Sequence, residues 1–152
     1  NPSDLQFEVI NTLDGAVEAL ANGTADYFMW ERFMTKPIVD KGIFRRLGDC
    51  PTPWVSFVIA VREEVLQAHP QTINSILRII NETTAEFKHI PSIDRTLAER
   101  YNQKIEDIRE WLSLTRWSQK NMDEKVLNNV QNQLFELNII DKKGTFVDIV
   151  KI

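Results

Sequence analysis

The sequence predicts an α/β fold, a parallel-sheet portion followed by carboxy-terminal helices, and three observations carry that expectation. Apolar runs of strand length alternate with stretches of helical period as far as Leu47. A proline-bounded connector at Pro51-Thr52-Pro53 then interrupts the alternation. Beyond Pro70, apolar residues recur three and four positions apart, the spacing of amphipathic helices.

Leu5 to Ile10, apolar at Leu5, Phe7, Val9 and Ile10 and flanked by polar residues, reads as a strand. Asp14 is the expected cap of a helix with Val17, Leu20 and Ala21 inward, and Asn22-Gly23 supplies the residue types that stop it. Ala25 to Trp30 is a near-continuous apolar run of strand length, as in central strands buried on both faces. After Glu31, a second helix carries Phe33, Met34, Ile38 and Val39 and ends at Lys41-Gly42, ahead of an extended Ile43 to Leu47. The order β-α-β-α-β implies parallel strands joined by right-handed crossovers.

Trp54 to Val61 resumes as a strand after the connector. Pro70 suits the first turn of a helix whose stripe is Ile73, Ile76, Leu77, Ile80, Thr84 and Phe87. Helical patterns follow over Asp94 to Tyr101, then at Ile105, Ile108, Trp111 and Leu112, then at Val126, Leu127, Val130, Leu134 and Leu137. Asn121 with Glu124 three residues on is the expected cap of the last one. The natural division falls near Pro51 to Trp54, giving residues 1–53 and 54–152.

A chain of 152 residues with 43% hydrophobic and 26% charged residues has the material for a packed core rather than for disorder. Its net charge of −4, with Arg45-Arg46 and Lys142-Lys143 as isolated pairs, gives no basic footprint for nucleic acid. The apolar run from Val55 to Val61, broken by Ser56, is far short of the roughly 20 residues a membrane helix needs. The lone Cys50 excludes an internal disulfide and any multi-cysteine metal cluster.

The only histidines, His69 and His89, have no carboxylate or cysteine at metal-ligand spacing, so no metal is expected and helix-boundary roles are favoured. No nucleophile elbow, Walker loop or dinucleotide glycine motif is present, which disfavours a hydrolase or nucleotide enzyme and leaves no cofactor to expect. Asn22-Gly23-Thr24 and Asn81-Glu82-Thr83 match the glycosylation acceptor pattern, which commonly arises by chance. The turn Asn11-Thr12-Leu13-Asp14-Gly15 is the better candidate site: it joins a predicted strand end to a helix amino terminus, where ligands of open α/β sheets collect. Its plain alternative is a cap and a turn. Trp30-Glu31 ends the next predicted strand on the same sheet edge.

These residues resemble a known family. "GAVEALANGTADYFMWERFMTKPIVDKG" followed by "PTPWVSFVIAVREEVLQAHPQTINSILR" is similar to the substrate-binding proteins of ABC transporters with the type II periplasmic-binding fold. The likeness, over roughly residues 7 to 90, is to the branch of taurine-, alkanesulfonate- and nitrate-binding proteins and thiamine-pyrimidine synthases. It implies two α/β lobes holding a small anionic or heterocyclic ligand in the cleft between them. Residues 1–53 would be part of the second lobe, and residues 54–152 the return strand and helices packing on the first.

The resemblance places Asn11, Thr12, Asp14, Trp30 and Glu31 at the ligand, makes Pro51, Pro53 and Trp54 the hinge, and implies a transporter permease as partner. It also implies a periplasmic or extracytoplasmic setting, with a cytoplasmic one left open because no signal segment is visible. Family members run to about twice this length, so the chain is expected to be a carboxy-terminal fragment stabilised by homodimer formation or domain swapping. The cysteine-rich motif and active-site histidine of the pyrimidine synthases have no match here. Non-catalytic solute binding therefore leads. The alternatives are an enzyme on that scaffold and a protein-interaction module built on the helices of residues 70 to 137.

Overall fold

The computed structural model describes residues 4–54 and 57–151. It corrects the expected fold class: the chain is a helical protein, with no strand or sheet among the described residues. The elements are α1 (Leu13–Asn22), α2 (Arg32–Asp40), α3 (Glu63–Ala68), α4 (Pro70–Glu86), a 3₁₀ turn (Phe87–His89), α5 (Ile93–Tyr101), α6 (Ile105–Leu114), α7 (Glu124–Glu136) and α8 (Phe146–Ile149). They fall into two compact units, Asn1–Gly48 and Asp49–Ile152.

The helices form where local chemistry starts and stops them. Thr12, extended at φ −137° and ψ 157°, caps α1 by accepting the Gly15 N–H at 3.1 Å. The expected cap, Asp14, instead lies inside the first turn, where its charge suits the exposed N–H groups. Gly23 adopts φ 78° and returns its N–H to the Ala19 carbonyl, the left-handed stop that Asn22-Gly23 predicts. The buried face of α1 is Ala16 and Ala19, with Val17 and Leu20 half-buried and Ala21 exposed, so the expected inward face is displaced by about one residue. In α2 the cap is Glu31, whose carboxylate accepts the Met34 N–H at 2.8 Å. Asp123 caps α7 by accepting from Lys125 and Val126, which replaces the expected pair of Asn121 and Glu124.

The four predicted strands fail for a common reason. An apolar run states that a segment favours extended backbone and burial, but a strand exists only when another segment supplies its hydrogen bonds. Two of these segments begin by closing a helix instead. Ala25 donates to the Ala19 carbonyl at 3.1 Å and Ile43 to the Ile38 carbonyl at 3.2 Å, both as part of the helix stops. Phe7 and Val9 in the first segment, and Phe57, Val58 and Ile59 in the fourth, are exposed. Val55 and Ser56 of that fourth strand lie outside the described residues.

In the second unit, α3 and α4 meet at His69, which ends one and precedes the other, while α4 starts with Pro70 at its first turn. The helix α3 has no counterpart among the expected elements. The expected stripe of α4 is only half-buried at Ile73, Leu77, Ile80, Thr84 and Phe87, and no residue of α4 is fully buried. The helices α5 and α6 pack together, and Leu97 of the first and Ile108 of the second are the most buried aliphatic residues of this unit. Phe87 and Trp117 stand edge to face at 5.2 Å, and Trp111 meets Trp117 at 6.0 Å. Farther on, buried Gln131 of α7 grips Gly144 twice: its amide donates to the Gly144 carbonyl at 3.2 Å and accepts the Gly144 N–H at 2.6 Å.

Candidate functional site

The site residues expected from the sequence belong to two helix starts of the first unit. Asn11, Thr12 and Asp14 surround the amino terminus of α1, and all three are exposed. Thr12 spends its hydroxyl on the Gly15 N–H. A Cβ at Gly15 would lie 3.2 Å from both Ile10 Cγ2 and Thr12 Oγ1, so a larger residue there would press on the capping hydroxyl. Trp30 and Glu31 precede α2, with Trp30 half-exposed and stacked on Phe28 at 5.5 Å and 18°. The Glu31 carboxylate is engaged as the α2 cap. The cap bonds of Thr12 and Glu31 each close their own helix start, so neither bond joins the two turns.

Pro51, Pro53 and Trp54 lie just past the boundary at Asp49. Thr52 donates its hydroxyl to the Trp54 carbonyl at 3.1 Å, a local turn, and both prolines are exposed. The acceptor tripeptide at Asn22 is also engaged locally: the Asn22 side-chain oxygen accepts from the Thr24 N–H at 3.0 Å and the Thr24 hydroxyl at 2.8 Å. His69 stands at the junction of α3 and α4, and His89 ends the 3₁₀ turn, 3.4 Å from the Glu86 carboxylate. Among the described residues no cluster of His, Cys, Asp or Glu could hold a metal.

One depression of about 300 Å³ lies in the second unit, lined by Lys88, Ile90, Ser92, Ile93, Asp94, Arg109 and Leu112. Its charges answer one another. Arg109 donates from Nε to Asp94 at 2.9 Å, and the backbone N–H of Arg95 also points to that carboxylate. The Arg109 guanidinium first, then the Arg95 N–H, hold the Asp94 carboxyl below its ordinary value of 3.8. Lys88 is turned to the Thr115 carbonyl at 2.6 Å. A second, polar depression runs along α7 from Asp123 to Asn132. Neither depression contains an expected site residue. The Asp94–Arg109 and Lys88–Thr115 contacts join residues far apart in sequence, and no local motif announces such pairs.

The helices leave many apolar side chains uncovered: among the described residues, the buried hydrophobic ones are Ala16, Ala19, Leu97 and Ile108. On α4, Ile76 is 46% and Ile79 is 54% exposed, side by side on the flank of the half-buried stripe. Compared with known protein families, curated proteins and solved structures, the chain matches none. No helix among the described residues is long and apolar enough to cross a membrane.

Proposed function

We propose that the chain is a helical association module whose apolar faces are completed by another polypeptide. The observation that carries this reading is the Ile76–Ile79 ridge on a 17-residue helix with no fully buried side chain. A ridge of this kind offers aliphatic anchors at helical spacing, the arrangement by which an amphipathic helix enters a groove or packs on a second helix. The tagged chain and its Ile76→Lys/Ile79→Lys variant, purified side by side, provide the test. The wild type is expected to retain a polypeptide at fixed stoichiometry in gel filtration, and the variant to bind it at least about tenfold more weakly with unchanged helix content. Equal retention by both would reject the reading.

A second reading is solute capture, supported by the resemblance of residues 7 to 90 to solute-binding proteins and by the half-exposed Trp30 stacked on Phe28 beside Glu31. A planar or cationic solute would be held there by stacking, with a transporter permease as the onward partner. Titration with taurine, nitrate or a pyrimidine should then quench tryptophan fluorescence saturably, and Trp30→Ala should abolish the response. A flat titration removes this reading.

A further inference from the structure

We propose that the depression at the start of α5 binds a small aliphatic carboxylate, with Arg109 and Lys88 receiving its charge and Ile93 and Leu112 its hydrocarbon. This goes beyond the association reading, because none of the lining residues belongs to α4 or to the first unit. Three elements converge there. The 3₁₀ turn supplies Lys88 and is followed by Ile90, the start of α5 supplies Ile93 and Asp94, and Arg109 and Leu112 stand three apart on one face of α6. At about 300 Å³ the space is at the small end of the range that protein pockets offer their ligands.

The lining carries more donors than its own acceptors use. Its one carboxylate, Asp94, is answered twice, by the Arg95 N–H at 2.9 Å and by Nε of Arg109 at 2.9 Å. The two Nη groups of Arg109 are left over, and they make no hydrogen bond among the described residues. Lys88 gives one of its ammonium donors to the Thr115 carbonyl and stands 5.8 Å from the Trp117 ring, with its other donors unspent. Ser92 occupies the position before α5 where a serine ordinarily spends its hydroxyl on the helix, yet it makes no such bond. Two cations against one carboxylate leave the lining positive in a chain whose net charge is −4.

The class of ligand follows from these groups. The paired Nη donors of a guanidinium lie in one plane and match the two oxygens of a carboxylate. Beside them, half-buried Ile93 and Leu112 and the partly exposed Ile90 offer hydrocarbon. An anion without a tail would leave that hydrocarbon in water, and a neutral alkyl compound would leave the guanidinium unanswered. A short branched carboxylate meets both.

Two-dimensional amide NMR spectra of the purified chain, titrated at neutral pH with isovalerate, isoamyl alcohol and inorganic phosphate, test this. Isovalerate is expected to shift the Ser92, Asp94, Arg109 and Leu112 amides saturably, and the alcohol and phosphate to bind at least about tenfold more weakly. Arg109→Met should weaken isovalerate by at least about tenfold with unchanged helix content, because the Asp94–Arg109 pair is exposed and holds little of the fold together. Ile76→Lys/Ile79→Lys should bind isovalerate as the wild type does. Shifts that fail to saturate overturn the proposal, and so does binding that survives Arg109→Met or is lost in the α4 variant. Phosphate or the alcohol binding as tightly as isovalerate overturns it too, a comparison made on the wild-type chain and independent of any variant's folding.

Discussion

The α5–α6 pair and the 57–61 segment both display aliphatic side chains, yet Ile108 is 6% exposed whereas Phe57 is 92% exposed. Each helix makes its backbone hydrogen bonds within itself, so its apolar face is free to pack on whatever element comes next. The 57–61 segment has no such independence. Its backbone groups are met by solvent unless another strand pairs with them, and no strand lies among the described residues. Hydrophobicity alone therefore does not decide burial in this chain, and local backbone pairing is not enough either: α4 pairs within itself and still leaves Ile76 and Ile79 exposed.

The most severe way to break this contrast is to empty the packed side of it. Ile108→Ala should lower unfolding free energy in urea by about 2–4 kcal/mol, because the methyl groups leave a cavity between α5 and α6. Ile59→Ala should change it by less than about 0.5 kcal/mol, because Ile59 is exposed. Similar losses from the two would mean that Ile59 is as well packed as Ile108.

A smaller effect separates cap from site. Glu31→Ala should cost about 1 kcal/mol by leaving the Met34 N–H without its acceptor. Glu31→Gln retains an acceptor oxygen and should cost only a fraction of that; urea midpoints of the two variants provide the check. If Gln matches Ala, the charge rather than the cap bond is what α2 requires.

The smallest effect is electrostatic and depends on pH. With Arg109 bonded to it, Asp94 has a folded pKa below its ordinary 3.8. Its stabilising contribution is therefore present above pH 3.8 and is lost as pH falls through the still lower folded value. Acid titration of the melting temperature should show this loss in the wild type and not in Asp94→Asn, with the two curves converging at low pH. The effect is small because the pair stands at the surface.

Helix positions were legible wherever a local signal existed. Pro70 opens α4, and Gly23 and Gly42 occupy left-handed turns just past α1 and α2, because these residue types act on their own neighbourhoods. Caps were legible only to within a residue or two, since Thr12 and Asp14, or Asn121 and Asp123, are equally competent acceptors and the winner depends on how the preceding chain approaches. The expected sheet was not recoverable at all. Ala25 to Trp30 carries a strand's composition, yet its first amide is drawn back to the Ala19 carbonyl by the turn at Gly23. At the candidate site, the sequence points to Glu31 as the end of a predicted strand, and its position is explained by the α2 start it serves.

The double hydrogen bond between Gln131 and Gly144 has a consequence for register. The Gln131 amide presents one donor and one acceptor to a single backbone residue, as a neighbouring peptide group would. A Cβ at position 144 would stand 2.8 Å from Ile149 Cδ1, the flexible end of a half-exposed side chain, so a larger residue there requires Ile149 to turn aside. One side-chain amide thus ties the chain after α7 to a single backbone residue without any ladder of strands.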